Sequence, residues 1–343
     1  MKNLILQKEF ISDLFCLSNE GCIVIDDLLQ FLSKDFRDYD LVCDFISYEE
    51  YEMAALENPI LESMLDKFNK ISYITNLNES FSNDSFYVDL PERNIFLTTL
   101  NVDDCKNLTE ERGYLFVSKD DIKDSWSFFS ECTKGINLKV TNSTTIKEND
   151  RLDNWSKFAR ISHPITSIII FDKHLFKEII PEDVSINLIP LLVNLIPRKI
   201  TKNKIHLTFI SEIKIGLSLK EYYDKINKEL SSKGISNIVI NIVRHNKALY
   251  PLKFEGLHAR FIITNYLNIM PDASINFFKK NGSVINVANI PITLNLVGYH
   301  NDSFNKDIED IKAYFKKAVN SHLLDDLNYN DLYYPNKINP LLN

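Results

Sequence analysis

Apolar residues follow two rhythms along this chain, compact runs and stripes at three- and four-residue spacing, and the two alternate. A compact run bounded by turn residues fits a buried strand, whereas the stripe lays one face of a helix against a core. In the first half Gly21 to Asp26 reads as a strand, Asp27 to Phe36 as a helix, Leu41 to Ser47 as a strand and Tyr51 to Lys70 as a longer helix. Further strands are expected at Ile71 to Thr75, Ser85 to Val88, Asn94 to Thr99, Tyr114 to Val117 and Asn137 to Val140, with Lys119 to Cys132 helical.

Residues 141–160, rich in Ser, Thr, Asn and charge, interrupt the rhythm and predict a connection between two domains, 1–150 and 151–343. Beyond it come a strand at Thr166 to Phe171, a helix at Val184 to Leu195 and a strand at Lys204 to Ile210. A helix at Leu219 to Ser232, stopped by Gly234, leads to a strand at Asn237 to Val243, and the next strand carries His258 and Arg260. Near the end, Asn305 to Leu324 places Ile308, Ile311 and Phe315 on one helical face. Both halves therefore predict α/β domains, each a sheet flanked by helices.

Composition narrows the function classes. The 343 residues, 45% hydrophobic and 25% charged, are those of an ordinary globular protein. The apolar runs are too short to cross a bilayer, and the start of the chain lacks the succession of a secretory leader, so a cytoplasmic protein with no membrane partner is expected. Five cysteines form no C-x2-C pair, which speaks against both a zinc site and a disulfide framework. Eight glycines form no GxGxxG or GxxxxGK[ST] string, so no nucleotide cofactor is expected. Asp26 and Asp27 raise the question of a metal, but helix capping accounts for them better and no metal is expected.

Charge divides the chain more sharply than composition does. Residues 1–150 hold 14 Lys+Arg against 29 Asp+Glu, a balance of -15, and the whole chain carries -8, which leaves +7 for the remainder. Within 198–260 there are 13 basic residues and 5 acidic ones. A local excess of this kind attracts polyanions even when the whole protein is acidic. DNA or RNA is the partner this suggests for the second half, and a protein partner for the acidic first half.

In Leu-His-Ala-Arg-Phe-Ile-Ile-Thr-Asn, His258, Arg260 and Asn265 stand at spacing H-x-R-x4-N. Alternate residues of a strand share a face, so His258 and Arg260 are expected to point together while Phe261 and Ile263 face a core. The pattern resembles the H-x-K-x4-D motif of the phospholipase D superfamily, with Arg260 at the lysine and Asn265 at the aspartate. That resemblance implies a mixed sheet flanked by helices, His258 as a phosphohistidine-forming nucleophile, and Arg260 and Asn265 at the phosphate. It extends to Gly282, Ser283 and Asn286, which are similar to the family's downstream Gly-Ser and Asn. The family's chemistry uses two histidines, so one motif here implies a homo-oligomer or the recruitment of another histidine of this chain.

Arg244, His245 and Lys247, after the strand Asn237 to Val243, are further candidates for a phosphate pocket, because loops at a sheet's carboxyl edge commonly line sites. Asp172 and His174 are a third pair, Asp172 being able to supply the carboxylate that Asn265 lacks. Arginine keeps a phosphate clamp, whereas an amide in place of the carboxylate removes support for a cationic imidazole. The leading expectation is therefore a nucleic-acid-binding protein with a degenerate phospholipase D-like domain, in a bacterial defence or mobile-element setting. A metal-independent phosphodiesterase or nuclease working as a homodimer is the alternative, and a protein-interaction module of a larger assembly is a third reading.

Overall fold

The computed structural model describes residues 2–18, 21–34, 36–88, 90, 93–197, 200–214, 216–245, 260–296, 305–316, 332–333 and 339–342. They form two units of mixed helix and sheet. One is built from the residues before Gly135 together with Leu296, the other from Gly135 to Asn295 and the later segments. The division thus falls ahead of the linker expected at 141–160.

The first unit holds five parallel strands, β1 (Lys2–Leu6), β2 (Tyr39–Cys43), β3 (Lys70–Tyr73), β4 (Arg93–Thr98) and β5 (Leu115–Ser118), in the order β3-β2-β1-β4-β5. Helices link them, among them α1 (Lys8–Leu17), α2 (Ile23–Leu32), α3 (Tyr48–Glu57), α4 (Pro59–Met64), α5 (Leu77–Phe81), α6 (Val102–Arg112) and α7 (Ile122–Lys134). The central strand β1 escaped the sequence reading because its buried run opens on Lys2 and Asn3. Lys2 tolerates burial because its ammonium donates to Asp38 at 2.6 Å and to the Leu296 carbonyl at 3.1 Å.

Three expectations in this unit are corrected. The run Ile23-Val24-Ile25 opens helix α2, in which Ile25, Leu28, Phe31 and Leu32 are buried and Ile23 faces solvent. Tertiary packing overrides the β preference of its branched residues. Asp84–Tyr87 form a 3-10 turn in place of a strand. The long helix expected from Tyr51 breaks at Asn58-Pro59, where Asn58 accepts hydrogen bonds from the amides of Ile60 and Leu61 and begins α4.

The second unit holds nine strands, β6 (Ile136–Val140), β7 (Arg151–Leu152), β8 (Ser167–Phe171), β9 (Ile205–Ser211), β10 (Ile238–Arg244), β11 (Phe261–Thr264), β12 (Leu267–Ile269), β13 (Ala288–Leu294) and β14 (Leu332–Tyr333). Their order is β14-β10-β9-β8-β11-β12-β13-β6-β7. Strands β8, β9 and β10 run parallel, and β11 returns antiparallel beside β8. The crossovers carry α8 (Leu175–Glu178), α9 (Leu188–Leu195) and α10 (Leu219–Ser232). Ser218 and Glu221 form a reciprocal capping box that fixes the start of α10.

A further helix spans 305–316, and its Ile308, Ile311, Tyr314 and Phe315 bury one face of the sheet together with Ile169, Phe171, Phe261 and Ile263. The inward direction expected for Phe261 and Ile263 is therefore observed. Ile262 and Thr264 are buried on the opposite face, so β11 is covered on both sides. Access to its polar groups exists only at its ends.

Candidate functional site

Antiparallel pairing sets Phe261 opposite Phe171 and Thr264 opposite Ile168. One end of β11 therefore meets the carboxyl end of β8, and the other end meets its beginning. Arg260, just before β11, lies beside Asp172, just after β8, with Nε 3.8 Å from Oδ1. Its Nη1 donates to the Asp272 carbonyl at 3.2 Å. The arginine side chain keeps 13% exposure while Asp172 has none, so the guanidinium stands at the rim of the sheet edge with a buried carboxylate behind it.

Asp172 is an organising acceptor. One oxygen accepts from the Ser274 hydroxyl and the Ile275 amide, each at 2.8 Å, and the other from the His174 amide at 3.0 Å. Burial pushes its carboxyl upward from the ordinary range, against the bonds from Ile275, Ser274 and His174 and the nearby Arg260 charge. Together these contacts tie the segment 272–275 to the ends of β8 and β11. Asp272 in turn accepts from the amide and side chain of Asn289, each at 2.9 Å, which fastens the same segment to β13.

The remaining predicted residues separate into different surroundings. Asn265 is fully buried at the far end of β11, where its carbonyl accepts from the Thr166 and Ser167 amides at 2.9 and 3.0 Å and its NH2 donates to the Thr166 hydroxyl at 2.5 Å. The length of a strand separates it from Arg260, so the two do not stand side by side. His245, a candidate for the phosphate pocket with Arg244 and Lys247, is buried between the rings of Phe171 (5.5 Å between centroids) and Tyr314 (5.8 Å). Its amide donates to the Ser211 carbonyl at 2.8 Å, and the Tyr314 hydroxyl donates to the Arg244 carbonyl at 2.8 Å. Arg244 is half-buried at the end of β10.

Ser283 and Asn286 lie on the excursion between β12 and β13, which is closed by the pair Phe278–Val284. The Ser283 hydroxyl and amide both donate to the Asn281 side chain, a turn completed by Gly282 at φ 80°. Asn286 is exposed and reaches the Asn276 carbonyl at 3.5 Å. His258 and Lys247 lie outside the described residues.

Sequence reasoning weighed Asp172 as a stand-in carboxylate but had no signal for Ser274 or the Asp272 carbonyl, which reach the site only through the fold. It also passed over His163. That ring is buried, with Nδ1 2.8 Å from the Ile161 carbonyl and Nε2 2.7 Å from the Thr264 hydroxyl. A carbonyl only accepts, so Nδ1 carries the proton and Nε2 accepts from Thr264. Burial lowers its pKa to about 4, consistent with a neutral ring.

In the first unit a cavity of about 670 Å³ is lined by Asp13, Asp120, Asp121 and Asp124 with Lys119 and Lys123 among others. Lys119 pairs with Asp13 at 2.8 Å, so the surroundings are unfavourable to an anion. Asp26 and Asp27 both belong to α2, and Asp27 accepts from Ser130 and pairs with Lys134 at 3.1 Å. Among the described residues no three His, Cys, Asp or Glu side chains cluster as metal ligands, and no helix is long and apolar enough to cross a membrane. No family model matches the chain, and no curated protein matches it significantly.

Proposed function

We propose that the second unit binds the phosphate backbone of nucleic acid at the carboxyl edge of β8 and β10, as a degenerate phospholipase D-like domain without turnover. The observation that carries this reading is Arg260, oriented from behind by Asp172 and the Asp272 carbonyl and partly exposed at the rim of the edge. A guanidinium already held in place loses little freedom on meeting a phosphate, and its planar fork suits paired contacts to phosphate oxygens. Arg244 at the end of β10, and the excess of 13 basic over 5 acidic residues in 198–260, add attraction without sequence readout. The absence of turnover rests on Asn265, whose amide is consumed in holding Thr166 and Ser167 and supplies no carboxylate to a histidine.

Anisotropy titration of labelled single- and double-stranded DNA and RNA across a salt series tests the reading. Affinity should fall steeply with salt, and Arg260→Ala should weaken it for every sequence. A salt-independent response, or none, overturns it. Incubation with EDTA should leave the oligonucleotides intact. Cleavage that survives chelation and vanishes in His258→Ala would instead establish the phosphodiesterase of the family, formed by two copies.

A further inference from the structure

Large exposed apolar side chains gather in places that differ in charge. In the first unit Ile46, Tyr48, Met53 and Leu56 are exposed on or just before α3, Met53 at 64% and Leu56 at 76%. Helical spacing brings Glu49, Glu52, Met53 and Leu56 onto one side, while Tyr51 and Ala55 are buried on the other. Glu57 is exposed next to Leu56, and α3 contains no basic residue. The helix therefore presents an apolar strip bordered by carboxylates. Two such strips would set glutamate against glutamate, so the face is unsuited to pairing with itself.

The second unit carries a surface of the opposite sign. The excursion closed by Phe278–Val284 turns over exposed Lys279 and Lys280 and continues into Ile285 and Val287, exposed at 48% and 62%. Residues 273–296 contain no carboxylate. Its base is firmly fixed: the Asn187 side chain accepts from the Phe278 amide at 3.0 Å and donates to its carbonyl at 2.9 Å, and Trp155 packs on Phe277 and Phe278. Lysines with neighbouring aliphatic side chains, on a braced hairpin, match the strip on α3 in both polarity and charge.

We propose that the α3 face of one copy of this chain receives the 279–287 hairpin of a second copy, head to tail. Met53 and Leu56 would cover Ile285 and Val287, and Glu49, Glu52 and Glu57 would face Lys279 and Lys280. The two patches differ, so each engaged copy still presents one of each kind, and growth continues unless a ring closes. A helix face and a hairpin are small beside the roughly 1,200–2,000 Å² that stable interfaces bury, which makes the association weak and salt-sensitive.

Sedimentation velocity of the full chain, freed of nucleic acid, tests this from low to high micromolar concentration. The average mass should rise with concentration at low salt and fall back toward that of the monomer at about 0.5 M salt, where screening is short-ranged. Met53→Glu with Leu56→Glu, and separately Lys279→Glu with Lys280→Glu, should each remain monomeric throughout. All four positions are exposed, and matching circular dichroism melts would establish that both variants fold. Mixing the two variants should restore a species of two copies and no larger, because one intact patch of each kind survives in the mixture. A wild-type chain that stays monomeric at every concentration, a variant that still associates, or a mixture that yields no dimer overturns the proposal.

Discussion

The guanidinium Nε of Arg260 stands 3.8 Å from the carboxylate of Asp172, joining the start of β11 to the end of β8 at a sheet edge whose neighbouring segment, 272–275, is bonded to both residues. One carboxylate thus serves two tasks, holding the backbone of a loop and orienting a cation. Loss of the arginine touches the second task, whereas loss of the carboxylate touches both.

Arg260→Ala should lower affinity for DNA or RNA about ten- to a hundredfold, as expected for losing a charged hydrogen-bonding group worth ~1.5–3 kcal/mol, at a smaller cost in stability, since Asp172 loses a neighbouring cation but keeps its three hydrogen bonds. Asp172→Ala should weaken binding too, because the guanidinium loses the carboxylate that orients it, and should cost far more stability. It leaves the Ser274 hydroxyl and the Ile275 and His174 amides without their acceptor, so urea unfolding should show a loss of about 3 kcal/mol or more. Equal unfolding midpoints for the two variants would contradict this division.

Asn265→Ala should destabilise the second unit by about 2–4 kcal/mol, because two buried amides lose their acceptor and a void remains. Binding measured well below the unfolding midpoint should be unchanged, since Asn265 sits at the other end of β11 from Arg260. A selective loss of nucleic-acid affinity at unchanged stability would return Asn265 to the site.

The alternation of strands and helices in 166–243 was legible because each element there is marked by its own period and by punctuation such as Gly234. The direction of Phe261 and Ile263 was legible for the same reason. The site was less so. H-x-R-x4-N reads as one constellation on paper, but a strand separates the residues at its two ends, and Arg260 and Asn265 lie at opposite ends of β8. Ser274 and the Asp272 carbonyl lie more than ten residues beyond Arg260 and come back to it only through the turn from β11 into β12. His245 looked like an exposed loop residue because its cover, Tyr314, comes from a helix at 305–316 that no local pattern connects to it.

Asp307, in that helix, has its pKa raised to about 6 by burial and by the nearby Asp310, with Lys306 opposing. Its folded pKa exceeds the usual value near 4, so the folded chain binds the proton more tightly and stability falls as pH rises between the two. Asp307→Asn should therefore raise stability at pH 7.5 by about 1 kcal/mol after allowing for its partial exposure, and the thermal midpoint with it, and change both little at pH 4. Thermal melts of both proteins at the two pH values check this, and an equal difference at both would count against it.

His163 gives the opposite slope. Its ring is buried and neutral, with a pKa lowered to about 4 against an ordinary value of 6.5, because burial penalises the cation more than the bond to the Ile161 carbonyl favours it. Between those values the unfolded chain binds the proton that the folded chain refuses, so stability is complete above pH 6.5 and is lost as pH falls toward 4. A displacement of this size corresponds to about 3 kcal/mol. His163→Gln has no proton to gain, so its stability should be lower at pH 7 through the altered packing but should decline less between pH 6.5 and 4. Chemical denaturation at half-unit pH steps reads both slopes, and parallel curves for the two proteins would mean that this histidine is not the group responsible for the acid sensitivity.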